Sequence, residues 1–156
     1  MKSSFLRHVL LFTFTFVVSL TLLHAQTKEA IAVDVPAAKK HSDFTGTVSV
    51  NMYTEGKNEL NCTLGSVSFQ PGARTNWHKH PGGQILLITE GTAFYQERGR
   101  AKRTIKKGES VSCLPNVEHC HGASAGMAMT HLAVGPNTDH GTVIWLEKVE
   151  DSVYLK

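Results

Sequence analysis

Cysteine is scarce in this sequence, and its scarcity limits the class of protein. The 156 residues include three cysteines, Cys62, Cys113 and Cys120, and no CxxC pair. Because three is an odd number, at most one intramolecular disulfide can form, and at least one thiol stays free or pairs between chains. The sequence therefore excludes a disulfide-stapled scaffold, and nothing in it resembles a zinc ribbon.

Net charge is also low. Lys and Arg number 16 while Asp and Glu number 13, which gives a formal charge of +3. Lys2 and Arg7 lie in an N-terminal leader, so the remainder carries 14 basic and 13 acidic residues. A chain this close to neutral has no electrostatic footprint for nucleic acid or anionic lipid. We expect no nucleic-acid partner and no membrane contact once the leader is removed.

Long apolar runs are missing except at the N-terminus. Residues 9–23 are predominantly apolar, follow the basic Lys2 and Arg7, and lead to the small residue Ala25. This layout predicts a signal peptide over residues 1–25. The run is shorter than the roughly 20 apolar residues of a membrane-spanning helix. We therefore expect an exported protein, periplasmic or secreted; without cleavage, the domain would be tethered at the outer face of the inner membrane.

The remaining residues are enough for one domain and too few for two. Residues 26–43 are polar and Ala-rich and are predicted to form a mobile arm, and residues 44–156 are predicted to form the folded domain. Short β-type runs alternate there with Gly and Pro turns, which predicts an all-β sandwich or barrel. The predicted strands span residues 45–53, 61–69, 75–79, 84–89, 92–96, 103–106, 110–114, 127–134 and 142–149.

Histidine, by contrast, is concentrated in one part of the chain. Five of the nine histidines lie within residues 78–131. A strand places alternate side chains on one face, so His78 and His80 point the same way, and His119 and His121 repeat the arrangement. Two such pairs that converge inside a barrel supply the nitrogen ligands typical of zinc, iron, manganese, copper or nickel sites.

The spacing of these histidines resembles a known family motif. Residues 72–91 read G-x5-H-x-H-x3-Q-x6-G, which resembles the first cupin motif with Gln84 where Glu is usual. A second motif begins at Gly108 and places its histidine eleven residues on. The resemblance implies a single-domain cupin, a double-stranded β-helix or jelly-roll barrel, that holds one divalent metal ion through His78, His80, Gln84 and His119.

The sequence around the motifs resembles that of a narrower group, the small manganese-dependent cupin hydroxynitrile lyases. The resemblance runs from about Phe44 to Tyr154 and implies manganese as the favoured metal, with iron, zinc or nickel as alternatives. It also implies a homodimer or higher homo-oligomer. Asn116 replaces the glycine usual in the second motif, and Asn tolerates the left-handed backbone that a glycine would favour. The matching segments are residues 44–48, 71–75, 77–80, 119–123, 129–133 and 145–147.

Two further histidines are candidate catalytic residues. His121 and His131 lie in strand-like runs, and each is either a proton carrier that faces the metal cavity or a hydrogen-bonded barrel histidine. Arg74 and Asn76 share strand parity with His78, so they are candidates for binding a polar substrate group, but a solvated or structural role is the favoured alternative.

The apolar neighbours of the motifs also carry expectations. Leu86 and Ile88 continue the strand face of Gln84 and are expected to line the cavity with aliphatic surface that limits it to small substrates. Cys120 lies between two inward histidines and is expected to pack on the opposite layer, as is Trp77 beside His78. Trp145 and Leu146 are predicted to cover the barrel or form a subunit contact.

Three functions are compatible with this pattern. Three neutral imidazoles and a neutral amide leave the charge of a divalent metal uncompensated, which favours a Lewis-acid enzyme. The first hypothesis is accordingly a metal-dependent lyase of hydroxynitrile-lyase type that acts on a small hydroxylated or carbonyl compound. The second is a metal-dependent oxygenase. The third is a non-catalytic periplasmic protein that binds a metal or a small ligand.

Overall fold

The computed structural model describes residues 42–56 and 58–156. The predicted signal peptide (1–25) and all but the last two residues of the predicted arm (26–43) lie outside the described residues. Within the described ranges, no helix has both the length and the apolar character needed to cross a bilayer.

Short β-strands account for most of the regular structure. β-Branched and aromatic residues alternate here with glycine turns, a composition that favours strands of a few residues. A 3-10 turn spans Thr138–His140, and one short helix, α1, spans Asp151–Tyr154. The described strands are β1 (Phe44–Thr45), β2 (Val48–Thr54), β3 (Cys62–Phe69), β4 (Arg74–Thr75), β5 (His78–Lys79), β6 (Gln84–Glu97), β7 (Arg103–Lys106), β8 (Ser110–Cys113), β9 (His119–Ala123), β10 (Met129–Pro136) and β11 (Ile144–Trp145).

The strands form an antiparallel sheet that curls into a jelly-roll barrel. Hydrogen-bonded neighbours follow the order β1-β4-β9-β6-β10-β3-β2, while β7 and β8 pair with β6, and β5 pairs with both β9 and β11. Neighbours in space are thus often distant in sequence, which is typical of a jelly roll. The arrangement confirms the predicted all-β, single-domain barrel.

The long strand β6 connects the two halves of the barrel. Its first half pairs with β8 and β10, and its second half, from Thr92 onward, pairs with β7 and β9. Gly91 lies at the change of partner with φ +73°, and a Cβ there would meet the Ala128 carbonyl oxygen at 1.9 Å. The prediction of two separate strands, 84–89 and 92–96, is wrong because the backbone continues through this glycine without losing its pairing.

Alternation along the strands separates the barrel interior from solvent. In β6, Gln84, Leu86 and Ile88 are buried while Ile85 and Leu87 are exposed. Removing such side chains from water is the main driving force for the core. The inner cluster contains Val48, Val67, Phe69, Ala73, Leu86, Ile88, Ala93, Tyr95, Ile105, Val111, Cys113, Ala123 and Met129.

A second apolar cluster lies on the other side of β9. Trp77 and Cys120 are buried in it together with Val149 and Tyr154 of the C-terminal segment. This confirms the predicted opposite-layer packing of Trp77 and Cys120. All three cysteines of the chain are free, so no disulfide joins them.

The structure also shows the backbone at Asn116 and the extent of the predicted strand 142–149. Asn116 has φ +62°, the left-handed conformation expected where the motif usually has glycine. The predicted strand 142–149 shortens to Ile144–Trp145, because the chain after Trp145 leaves β5 and packs against the second cluster through Val149.

Candidate metal centre

Three histidines converge at one end of the barrel. His78 in β5 is paired across the sheet with His119 in β9, and their ring centroids are 4.3 Å apart. His80, two residues after His78, brings its ring centroid to 5.2 Å from His78 and 5.7 Å from His119. One nitrogen from each ring lies within 4.8 Å of those of the other two. The triad can therefore surround a single metal ion.

Each of the three imidazoles is oriented by a backbone carbonyl at its Nδ1. A carbonyl oxygen can only accept, so Nδ1 carries the proton in each ring and Nε2 presents a lone pair. Metal-bound histidines have this arrangement. The carbonyl partners of His78, His80 and His119 are Asn76, Thr142 and Val117, at 3.0, 2.6 and 2.9 Å.

Gln84 supplies a fourth donor. Its Oε1 lies 3.2 Å from Nε2 of His119. Burial lowers the pKa of His119 to about 4, so the ring is neutral at pH 7. Because Nδ1 carries the proton toward the Val117 carbonyl, Nε2 is an acceptor and faces a second acceptor. A cation between the two acceptors would relieve their repulsion. Three imidazole nitrogens and an amide oxygen therefore fit a divalent transition metal such as manganese, iron, zinc or nickel.

His121 and His131 extend the cluster into the barrel. The ring of His121 lies 5.1 Å from that of His78, and His131 lies 5.0 Å from His121. Both side chains are buried, and their ring nitrogens make no hydrogen bond to any described residue. Burial lowers the pKa of His121 well below its usual range and that of His131 to about 4. Both rings are thus neutral near pH 7 and can accept a proton.

These histidines border a cavity of about 330 Å³. Aromatic rings form one wall: Phe44 lies 5.5 Å from Trp145 and 6.0 Å from Phe69, and Phe69 lies 5.6 Å from His131. The volume suits a small organic molecule. The lining comprises Phe44, Val50, Met52, Glu55, Gly56, Thr63, Val67, Phe69, Thr75, His78, His80, Gln84, His121, His131, Ala133, Thr142, Val143 and Trp145.

Arg74 and Asn76, the candidates for binding a polar substrate group, do not line this cavity. The Arg74 guanidinium donates to the Val149 carbonyl at 2.8 and 3.1 Å and pairs with Asp151. Asn76 donates to the Ser42 carbonyl at 3.1 Å. The parity argument fails because the strand is interrupted between β4 and β5. Both side chains make structural contacts, in line with the favoured of the two alternatives.

Leu86 and Ile88 also lie outside the cavity lining. They share the buried face with Gln84, as the alternation predicted, but belong to the inner apolar cluster. The aliphatic lining comes instead from other strands, through Val50, Val67 and Ala133.

Thr75 and Trp145 are cavity residues that the sequence did not identify as such. Thr75 is buried, and its Oγ1 accepts a hydrogen bond from the His121 backbone N–H at 3.1 Å. Trp145, predicted as cover or subunit contact, packs on His78 with ring centroids 4.9 Å apart. Thr75 lies in the matched segment 71–75, which was a signal for it. Strand parity with His78 selected Arg74 and Asn76 as cavity residues instead.

A jelly-roll barrel with this histidine and glutamine set is the architecture of the cupins, and residues 65–135 match the cupin domain family. The chain belongs to the cupin family, as a small single-domain member. It is 41% identical over 113 residues to an (R)-mandelonitrile lyase from Granulicella tundricola. The aligned region covers 72% of this chain and 86% of that relative.

Solved structures agree with this family. A cupin-like protein from Thermotoga maritima is 44% identical, with a TM-score of 0.72 and coverage of 76% of this chain and 90% of that chain. The polyketide cyclase RemF from Streptomyces resistomycificus has a TM-score of 0.61 at 17% identity, over 79% of this chain and 94% of that chain. At 17% identity the second likeness shows the fold alone.

Proposed function

We propose that this protein is an exported, metal-dependent lyase of hydroxynitrile-lyase type that cleaves a small cyanohydrin into a carbonyl compound and hydrogen cyanide. The observation that carries the proposal is the placement of two buried, neutral histidines, His121 and His131, beside a neutral metal-ligand set in a small apolar-walled cavity. The name of the 41% identical relative, a mandelonitrile lyase, supports the reaction class. The apolar residues 9–23 support export.

His78, His80, Gln84 and His119 would hold the metal. A divalent ion there keeps its full charge, because every ligand is neutral, and would stabilise negative charge that develops on the substrate. The aromatic wall formed by Phe44, Phe69 and Trp145 would hold an apolar substituent and exclude water from the reacting carbon.

His131 is the better candidate for the base. The rings near it are those of Phe69 and His121, whereas His121 also approaches the ligands His78 and His119 at 5.1 and 5.8 Å. A cation in the site would lower the proton affinity of the nearer imidazole more strongly. His131 therefore retains the greater basicity when the site is filled.

The reaction then follows from proton transfer to His131. A ring nitrogen of His131 takes the hydroxyl proton of the cyanohydrin, the carbon–oxygen double bond forms, and the bond to the nitrile carbon breaks with its electron pair leaving as cyanide. Cyanide takes the proton from His131 and departs as hydrogen cyanide, which restores the neutral base.

Cleavage of mandelonitrile by the purified, manganese-loaded protein tests the proposal. We expect release of benzaldehyde, and we expect His119→Ala to abolish it because the triad is broken. His140→Ala is the control, since the His140 side chain is 63% exposed and lies outside the site; it should retain wild-type activity.

Other outcomes reject the lyase. If manganese, iron, zinc and nickel forms all leave a panel of aromatic and aliphatic cyanohydrins intact, the lyase is wrong. Oxygen consumption by the iron form with a thiol, diketone or phenol would then identify an oxygenase. Tight metal binding without turnover of either kind would identify a binding protein.

A further inference from the structure

The three metal-ligand histidines differ in where their orienting carbonyls come from. His78 and His119 each donate from Nδ1 to the carbonyl two residues earlier in the same strand region. His80 donates instead to Thr142, which is 62 residues further along the chain, at 2.6 Å. The orientation of His80 therefore depends on a tertiary contact, whereas the other two orientations are local.

The Thr142 carbonyl is held by a segment that docks on β5. We call residues 142–147 the wall segment. Trp145 pairs in register with His78, and the Leu146 N–H donates to the Trp77 carbonyl at 2.9 Å. The Trp77 N–H in turn donates to the Glu147 carbonyl at 3.0 Å. Backbone hydrogen bonds at Leu146 and Glu147 thus anchor the C-terminal end of the wall segment, whereas Thr142 lies at its N-terminal end.

Side-chain packing of Trp145 completes this anchor. Its ring lies 4.9 Å from His78 and 5.5 Å from Phe44, so it joins the metal centre to the aromatic wall of the cavity. Thr142, Val143 and Trp145 all border the cavity. Three of the six residues of the wall segment therefore border the cavity, and the carbonyl of one of them, Thr142, orients a metal ligand.

We propose that Thr142 and Trp145 are positioning residues for His80, so that metal affinity depends on the docking of the wall segment. An outer hydrogen bond of this kind fixes the tautomer and the direction of a ligand histidine, and its loss typically weakens metal binding 10- to 100-fold. The inference rests on the metal-binding part of the proposed function and is independent of the reaction catalysed.

The coupling works in both directions. If docking of the wall segment strengthens metal binding, metal binding must strengthen docking by the same factor. Amide hydrogens of residues 142–147 should therefore exchange more slowly in the manganese- or zinc-loaded protein than in the metal-free protein. A substrate that displaces Trp145 would likewise weaken the hold on the metal.

Two readouts on Trp145→Ala test the proposal. Manganese affinity, measured from the free-ion electron paramagnetic resonance signal, should fall about 10-fold or more. In the metal-free protein, long-range proton–nitrogen spectra should show His80 as the Nδ1–H tautomer in the wild type and as a tautomer mixture in Trp145→Ala. Trp145→Phe, which keeps a ring against His78, should restore most of both properties.

Ile144→Ala is the matched control. Ile144 is the neighbouring residue of β11 but is 44% exposed, and it is not part of the cavity lining. Its truncation should change neither readout. His119 is an internal control in every variant, because its carbonyl partner is local; its tautomer should stay Nδ1–H while that of His80 changes.

The outcomes separate this inference from the function on which it rests. Wild-type protein that binds no manganese, iron, zinc or nickel would overturn the proposed function, and the His80 tautomer would still decide the positioning role. Metal affinity and His80 tautomer unchanged in a folded Trp145→Ala protein would overturn the inference alone. Equal tautomer changes at His80 and His119 would indicate general disruption and would also overturn it.

Discussion

His131 is buried in the barrel with ring nitrogens that make no hydrogen bond to any described residue. Leaving a buried polar group unpaired costs a protein about 1–3 kcal/mol. A leucine of similar volume would avoid this cost. Because His131 borders the cavity, its imidazole is placed to meet a bound ligand, at a cost in stability.

His131→Leu should separate activity from stability. General-base catalysis contributes roughly 100- to 10,000-fold, so we expect cyanohydrin cleavage to fall at least about 100-fold. The free energy of unfolding at pH 7, measured by urea titration of the metal-free protein, should stay equal or rise. A variant that retains activity would contradict the assignment of His131 as base.

The same substitution should reduce acid sensitivity. The pKa of His131 is lowered by burial from 6.5 to about 4 in the folded state, so between these values the unfolded chain binds the proton more readily. Proton uptake by the unfolded chain therefore costs the fold almost nothing well above pH 6.5 and more as the pH falls toward 4, about 2 kcal/mol between pH 7 and pH 5. Urea titrations at both pH values should show this smaller loss in His131→Leu, whereas His140→Leu should behave like the wild type.

At the scale of elements, the barrel depends on the change of partner in β6. Gly91 combines a left-handed φ with a position where any Cβ would collide with the Ala128 carbonyl. Gly99 has a similar φ, +77°, but a Cβ there would meet nothing within 4 Å. A substitution at Gly99 therefore meets backbone strain alone, whereas one at Gly91 meets both strain and a steric clash.

Gly91→Ala should be much more destabilising than Gly99→Ala. Left-handed backbone costs a non-glycine residue about 1–2 kcal/mol, which is the whole effect expected at Gly99. At Gly91 the collision must also move β10, and we expect a total loss of roughly 3 kcal/mol or more. Thermal or urea unfolding of both variants measures the difference. If both variants lost the same free energy of unfolding, the shift of β10 that Gly91→Ala requires would carry no energetic cost.

The strands and the ligand spacing were predictable from sequence, because alternation and glycine turns are local properties. His78, His80 and His119 come together as the motif spacing predicted, and Gln84 as a fourth ligand stays a prediction. The place of Thr75 in the cavity lining was not predictable, because a strand break between β4 and β5 resets the parity. Such a break depends on tertiary pairing, here of β4 with β1 and β9.

The contacts of the C-terminal segment were also beyond sequence reasoning. More than 60 residues of sequence separate Arg74 from its partner Val149, and the same is true of His80 and Thr142. No periodicity reports such a contact. Tryptophan at position 145 signals packing, but only the folded chain shows that its half-buried ring lies against His78.

At the scale of the whole molecule, we expect the histidine cluster to couple metal binding to the stability of the fold. Several histidines are buried together, and burial lowers the pKa of His78 well below its usual range, with nearby His119 lowering it further. The ligand nitrogens of His78, His80 and His119 lie within 4.8 Å of one another and gain a common partner when a cation binds. The unfolded chain does not bring them together. Metal binding should therefore stabilise the folded barrel selectively.

We expect manganese at 100 times its dissociation constant to raise the free energy of unfolding by about 2.7 kcal/mol, which corresponds to roughly 10 °C in the unfolding midpoint. Scanning calorimetry with manganese and with a chelator measures the shift. His119→Ala should abolish it because the triad is broken, and His140→Ala should retain it. An equal shift in His119→Ala would mean that the stabilising ion binds elsewhere, since the loss of one of four donors must weaken any ion held at this centre.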